Sequence, residues 1–108
     1  MTDDTPHWIP SAARVAVAQL TGFHAFARER GAPGGDYSSL WQWSVDEPAA
    51  FWSAVFDFAG VIADSGPGPV LRDGEHMPGA TWFAGTRLNF AENLLRGTGV
   101  GPAIVARD

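Results

Sequence analysis

Two residue types are absent from this 108-residue chain: cysteine and lysine. Without cysteine there is no disulfide and no thiolate metal ligand, which fits a cytoplasmic protein. Without lysine, a Walker-type phosphate loop, a Schiff-base enzyme or an adenylating enzyme that relies on a catalytic lysine cannot be complete within these residues. No apolar run approaches the roughly 20 residues that span a bilayer. The start, Met1-Thr2-Asp3-Asp4-Thr5-Pro6, lacks the basic and apolar regions of a secretory signal. Positive charge is scarce: seven arginines face twelve acids, giving a net charge of −5 and a pI near 4.9. Nucleic acid and anionic membrane are therefore poor candidate partners.

Aromatic residues are plentiful. Five Trp and seven Phe stand in a chain long enough for one small domain. Each large aromatic buries about 150–250 Å² when enclosed, and so small a fold has few interior places for twelve of them. Some are expected to face another protein surface. With 45% hydrophobic and 18% charged residues, the chain is no disordered tail.

Residues 1–10 read as an irregular lead carrying Trp8 and Ile9. Ser11 is a good N-cap for one helix running to about Arg30, with Val15, Ala16, Leu20, Phe23, Phe26 and Ala27 on one face and a possible kink at Gly22. Gly31 is its expected terminator. The 31–36 stretch is a loop by composition, and Tyr37–Ser44 reads as one or two helical turns. Asp46 or Glu47 is expected to cap a helix with Pro48 in its first turn, running to about Ala59 and ended by Gly60. Phe51, Trp52, Val55, Phe56 and Ala59 fall at helical spacing there. Val70-Leu71 reads as a short strand before an Asp73-Gly74 turn.

Trp82-Phe83 then leads through Gly85 to Asn89-Phe90-Ala91-Glu92, where Asn89 and Glu92 have the spacing of a capping box. Gly97 is expected to end that helix in a left-handed conformation. Ala103-Ile104-Val105-Ala106 is a strand by type with no convincing partner before it, so it is expected to join a sheet outside this chain. The expected fold is mainly α with short β segments (α+β): a helical cap over 11–97, then a linker and strand over 98–108.

Few residues invite chemistry. The Gly97–Gly101 run follows a helix and precedes a strand, the reverse of a dinucleotide-binding loop, and reads as a linker. His7, His24 and His76 lack metal-ligand spacing, and no Ser stands in a nucleophile elbow. Asp46, Glu47, Asp57 and Glu92 are explicable as caps or solvated faces. Trp41, Trp43, Phe51, Trp52 and Phe56 read as packing, internal or against a larger domain, before they read as a ligand groove. Arg87 reads as a surface ion pair before it reads as an anion fork. Asn93 is expected to bond a neighbouring backbone. No catalytic, cofactor-binding or metal-ligating residue is assigned.

The run Trp82-Phe83, Gly85, Leu88-Asn89 and Phe90-Ala91-Glu92-Asn93-Leu94-Leu95 resembles the W-F-x-G-x-x-L-N-[YF]-A-E-N-L-L segment of acetoacetyl-CoA synthetases. Trp8, Pro10-Ser11, Tyr37, Leu40, Trp43-Ser44-Val45 and Phe51-Trp52 follow the same family's order of landmarks, so the resemblance covers residues 8–106. Acetyl- and propionyl-CoA synthetases share several of these but continue with an asparagine–cysteine and an Asp-Arg-His group, where this chain has Glu92-Asn93-Leu94-Leu95-Arg96-Gly97. Ala84 replaces a frequent proline and Phe90 a tyrosine.

The resemblance implies an AMP-forming acetoacetate–CoA ligase that uses ATP, Mg and CoA, with acetoacetate as substrate. It also implies that this chain is the cap packed on an adenylating domain not contained in it. The family's phosphate loop and catalytic lysine have no matching positions here, so no activity is expected of the chain alone. Trp82, Phe83, Leu88, Asn89, Glu92, Asn93, Phe51 and Trp52 are the expected structural and docking residues. A free-standing aromatic-rich interaction module and an inactive truncated gene product are the competing expectations.

Overall fold

A computed structural model describes residues 4–107; positions 1–3 of the irregular lead and Asp108 of the terminal segment lie outside the described residues. Residues 4–10 are irregular, as expected. Five helices follow, α1 (Ala12–Ala16), α2 (Gln19–Arg28), α3 (Tyr37–Asp46), α4 (Pro48–Phe58) and α5 (Phe90–Leu94), with four two-residue strands between α4 and α5. The fold is helical with short strands, the class expected from the sequence.

The single helix expected from Ser11 to Arg30 is two helices. Ser11 does cap the first, its hydroxyl accepting from the Arg14 N–H at 3.2 Å. The break comes after α1, where the Val15 carbonyl accepts from the Ala18 N–H at 3.2 Å and from the Thr21 hydroxyl at 2.6 Å. That carbonyl is thereby taken into a turn, and the β-branched Val15 and Val17 add little to hold a helix together here. Gly22, where a kink was expected, lies inside α2. Gly31 adopts φ +100°, and the Ala32 N–H bonds back to the Ala27 carbonyl, the left-handed stop foreseen for this helix.

Asp36 caps α3, its carboxylate accepting from the Ser39 N–H at 3.1 Å and the Ser39 hydroxyl at 3.2 Å. These bonds, the backbone one first, lower the Asp36 pKa from the ordinary carboxylate value. Glu47 is the N-cap residue of α4 with Pro48 in the first turn, and Gly60 follows the helix at φ +61°.

Helices α2, α3 and α4 enclose a small core of Phe23, Ala27, Ala32, Leu40, Trp43 and Ala54, with Phe26, Phe51 and Val55 packed against it. Its aromatics meet edge to face, the arrangement their quadrupoles favour. Phe23 lies 5.7 Å from Phe51 and 5.4 Å from Phe58, and Trp43 lies 6.1 Å from Phe51. The Arg30 guanidinium covers the Phe26 ring and pairs with Asp57 of α4.

Between α4 and α5 the chain forms one long irregular hairpin. Ala63–Asp64 (β1) pairs antiparallel with Arg87–Leu88 (β4), and Leu71–Arg72 (β2) with Thr81–Trp82 (β3). Between these two ladders the arms stay bonded irregularly. The Gly68 N–H reaches the Ala84 carbonyl, the Ala84 N–H the Pro69 carbonyl, and the Phe83 N–H the Val70 carbonyl. The Gly66-Pro67-Gly68-Pro69 run is needed for this close approach. A Cβ on Gly66 would fall 2.2 Å from the Gly85 carbonyl carbon, and one on Gly68 2.5 Å from the Ala84 carbonyl oxygen.

One expectation near the C-terminus is corrected. Helix α5 ends at Leu95, whose N–H bonds the Ala91 carbonyl, and Gly97 is not left-handed. The chain turns there on Arg96, which reaches back to α4. Residues 103–106 are unpaired among the described residues, which leaves untouched the expectation that they join a sheet outside this chain.

Candidate functional site

The stretch from Trp82 to Leu95 is held against α4 by three devices. The first is the Phe83 ring. Its residue takes φ +45°, left-handed for a non-glycine, in the bulge that Gly85 (φ +77°) and the Thr86 N–H to Phe83 carbonyl bond complete. This swings the ring onto Phe56 of α4, stacked at 4.9 Å and 26°. Trp82, the neighbouring residue, meets Trp52 edge to face at 6.2 Å, and Trp52 in turn meets Phe51 at 5.2 Å.

The second device is Asn93. Its carboxamide accepts from the Ile62 N–H at 2.8 Å and donates to the Ile62 carbonyl at 2.9 Å, acting as the next rung of the hairpin beyond Ala63. The same amide donates to the Asn89 carbonyl at 3.0 Å. The expected backbone role of Asn93 is thus carried by three bonds.

The third device was not legible beforehand. The Arg96 guanidinium donates to the Ala59 carbonyl at 2.6 Å and also to the Gly60 carbonyl. A cation therefore sits on the orphan carbonyls at the negative end of α4.

Asn89 caps α5 as expected, accepting from the Glu92 N–H at 3.1 Å. The Glu92 side chain does not return the bond, so half of the capping box forms. Arg87 stands opposite Asp64 across the β1–β4 ladder, yet the expected surface ion pair is not made among the described residues. Both side chains are exposed and keep their hydration. With Ile62, Ala63, Leu88, Asn89 and Glu92 they line a polar groove of about 540 Å³.

These contacts use one side of the region and leave the other uncovered. Trp52 is 45% exposed and Trp82 43%; Leu88, Phe90, Leu94 and Leu95 are more exposed still. Phe90 and Leu94, one turn apart on α5, form a stripe beside the one Asn93 uses against Ile62. The chain exposes 9066 Å², whereas a folded monomer of this mass exposes about 5,800 Å². Its radius of gyration is 18.2 Å, against about 13 Å for a compact domain of this length. Trp52, Trp82, Leu88, Phe90, Leu94 and Leu95 thus leave apolar surface uncovered in this chain.

Among the described residues no three of His, Asp and Glu approach closely enough to hold a metal ion. A Cβ added at Gly97, Gly99 or Gly101 would meet nothing within 4 Å, and none of the three is left-handed. No helix of the described residues is long and apolar enough to cross a membrane.

Comparison with known proteins gives this face a context. The family described as acetyl-coenzyme A synthetase N-terminus matches residues 37–94, from the start of α3 to the end of α5. An acetoacetyl-coenzyme A synthetase of Rhizobium meliloti (strain 1021) is 42% identical over 108 residues, covering 99% of this chain and 16% of that protein. An acetoacetyl-CoA synthetase of Danio rerio is 35% identical over 91 residues, 82% of this chain and 13% of its own length. Among solved structures, acetoacetyl-CoA synthetase from Streptomyces lividans superposes with a TM-score of 0.76 at 47% identity, over 82% of this chain and 14% of that one. The chain spans about one sixth or less of the length of these relatives.

Proposed function

The chain belongs to the acetyl-coenzyme A synthetase N-terminus family, and from that premise we propose that it is the N-terminal cap of an AMP-forming acetoacetate–CoA ligase. The cap docks on the ligase's adenylating domain through the face that carries Trp52, Trp82, Leu88, Phe90, Leu94 and Leu95. It contributes packing and carries no catalytic group. The observation behind this reading is the exposed apolar face, set on a chain that accounts for 16% of a relative of known activity class.

The division of labour follows from the residue inventory. Asn89 and Asn93 fix the start of α5 and its distance from Ile62. Phe83 and Arg96 pin the two ends of the Trp82–Leu95 stretch to α4. Trp52 and Trp82 then stand at a fixed separation as the pair that enters the partner surface, as aromatic anchors do at protein interfaces. ATP, Mg, CoA and acetoacetate are handled by the part of the ligase outside this chain.

The test is a coupled AMP-release assay with ATP, CoA and acetoacetate. The 108-residue chain alone is expected to give no turnover above a no-protein control. The full-length ligase is expected to turn over, and its Trp82→Ala variant to keep most of its turnover at a lowered melting temperature. Turnover by the chain alone would overturn the reading, as would a variant with native melting and a collapsed rate.

A further inference from the structure

We propose that the cleft between α1, α2 and α3 is a binding site for a small amphiphilic monocarboxylate, with Arg28 taking the carboxylate and Val15, Leu20 and Leu40 enclosing the apolar tail. The cleft measures about 430 Å³ and is walled mainly by apolar atoms, with Thr21, His24, Arg28 and Tyr37 among its lining. That size falls within the range of small-molecule sites. It shares no residue with the Trp52–Trp82 face, and the inference does not rest on the ligase reading.

Three features define the ligand's chemistry. The Arg28 guanidinium makes no hydrogen bond or ion pair among the described residues, in contrast to Arg30 on Asp57 and Arg96 on the α4 carbonyls. No Asp or Glu lines the cleft to neutralise it. An arginine fork presents two parallel donors that match a carboxylate.

The guanidinium also has a defined neighbour. It lies over Gly34, where an added Cβ would meet its Cζ, Nε and Nη2 atoms at 3.4 Å. The loop beneath is tied to α2 by the His24 Nε2 to Pro33 carbonyl bond at 3.1 Å. That bond requires Nε2 to carry the proton, so in the neutral ring Nδ1 is an acceptor and Arg28 is the group suited to an anion.

The apolar half is equally defined. Val15 and Leu20 line the cleft with much of their surface exposed, and the buried core residue Leu40 lines it with them. The break between α1 and α2 opens this space, since a continuous helix would carry Val15 and Leu20 on one unbroken surface. Arg28 and Tyr37 share the lining with Val15, Leu20 and Leu40, so a polar head and an apolar tail both have partners there.

The test titrates the 108-residue chain with octanoate and follows backbone amide shifts by ¹H–¹⁵N NMR. Saturable shifts are expected at Leu20, Ala25, Gly35 and Leu40. Arg28→Gln is expected to weaken the apparent affinity on the order of ten-fold or more, the value of one charge-assisted pair. Arg72→Gln, remote on β2, should leave it unchanged. Octanol, with the same tail and no carboxylate, should show no saturable binding in the cleft. Equal binding of octanoate and octanol overturns the proposal, as does equal binding by wild type and a folded Arg28→Gln. Shifts centred on Trp52 and Trp82 overturn it too. If Arg28→Gln fails to fold, the wild-type comparison of octanoate with octanol decides the outcome alone.

Discussion

Replacing Asn93 by Ala removes the rung that joins α5 to the root of the hairpin. Two of its three bonds go to Ile62, 31 positions away in sequence, and the third stays local, to the Asn89 carbonyl. A typical intramolecular hydrogen bond contributes about 0.5–1.5 kcal/mol net. The two long-range bonds together should therefore contribute about 1–3 kcal/mol. Ile62 is partly exposed, so water can satisfy its freed N–H and carbonyl, which places the expected loss near the middle of that range, about 2 kcal/mol.

Against a total stability of roughly 5–15 kcal/mol for a domain of this size, that is a large share. With a urea slope of about 1–2 kcal/mol/M, the midpoint should fall by about 1–2 M. Asn93→Asp sharpens the assignment: it keeps an acceptor for the Ile62 N–H and loses the donor to the Ile62 carbonyl, so it should fall between wild type and Ala. The assay is urea unfolding of the 108-residue chain, followed by far-UV circular dichroism. A midpoint shift below about 0.2 M for Asn93→Ala, with an unchanged slope, would refute the reasoning, because it would mean that the Asn93–Ile62 pair carries no net free energy.

Three further substitutions probe the rest of the scaffold. Gly22→Ala should stabilise the chain by up to about 1 kcal/mol, since the added Cβ meets the Phe58 ring at an ordinary 3.7 Å; a lower melting temperature would contradict that. Gly66→Ala should destabilise it by about 2 kcal/mol or more, because the Cβ would fall 2.2 Å from the Gly85 carbonyl carbon; unchanged unfolding would show that the hairpin arms are not in contact. Asp36 has a folded-state pKa lowered chiefly by the Ser39 N–H, so its capping contribution is present above the ordinary carboxylate pKa and is lost as pH falls through the lower folded value. Asp36→Asn should flatten that part of the acid limb of a stability–pH curve, and an identical acid limb in the variant would contradict the cap.

The helices were legible because their signals are local. Ser11, the Glu47-Pro48 pair and Asn89 announce helix starts within three or four residues, and Gly31 and Gly60 announce stops. The α1–α2 break was not legible, because the deciding bond joins Thr21 to a carbonyl six residues back, a distance that no periodicity reports. The hairpin was half visible. Val70-Leu71 and the Asp73-Gly74 turn pointed to it, but only the fold shows that Gly66 and Gly68 are there to let two backbones touch.

The docking stretch divided in the same way. Asn89 follows from short-range capping logic, whereas the bonds of Asn93 to Ile62 span 31 positions and Phe83 facing inward on Phe56 depends on a left-handed backbone that a phenylalanine rarely adopts. Arg96 carried no warning, since its partners lie 36 and 37 residues earlier.

Docking of the cap on an adenylating domain requires the Trp52–Trp82 face to be covered in the whole ligase. If the 43% of Trp82 that is exposed here becomes enclosed, about 110 Å² leaves water, a stabilisation of about 3 kcal/mol from this residue. Hydroxyl-radical footprinting of the 108-residue chain and of the full-length ligase, read by mass spectrometry at Trp52, Trp82, Leu88, Phe90, Leu94 and Leu95, measures that enclosure directly. These six should be labelled several-fold more slowly in the ligase than in the isolated chain, while fully exposed Met77 is labelled equally in both. Equal labelling of the six in both proteins would contradict the claim.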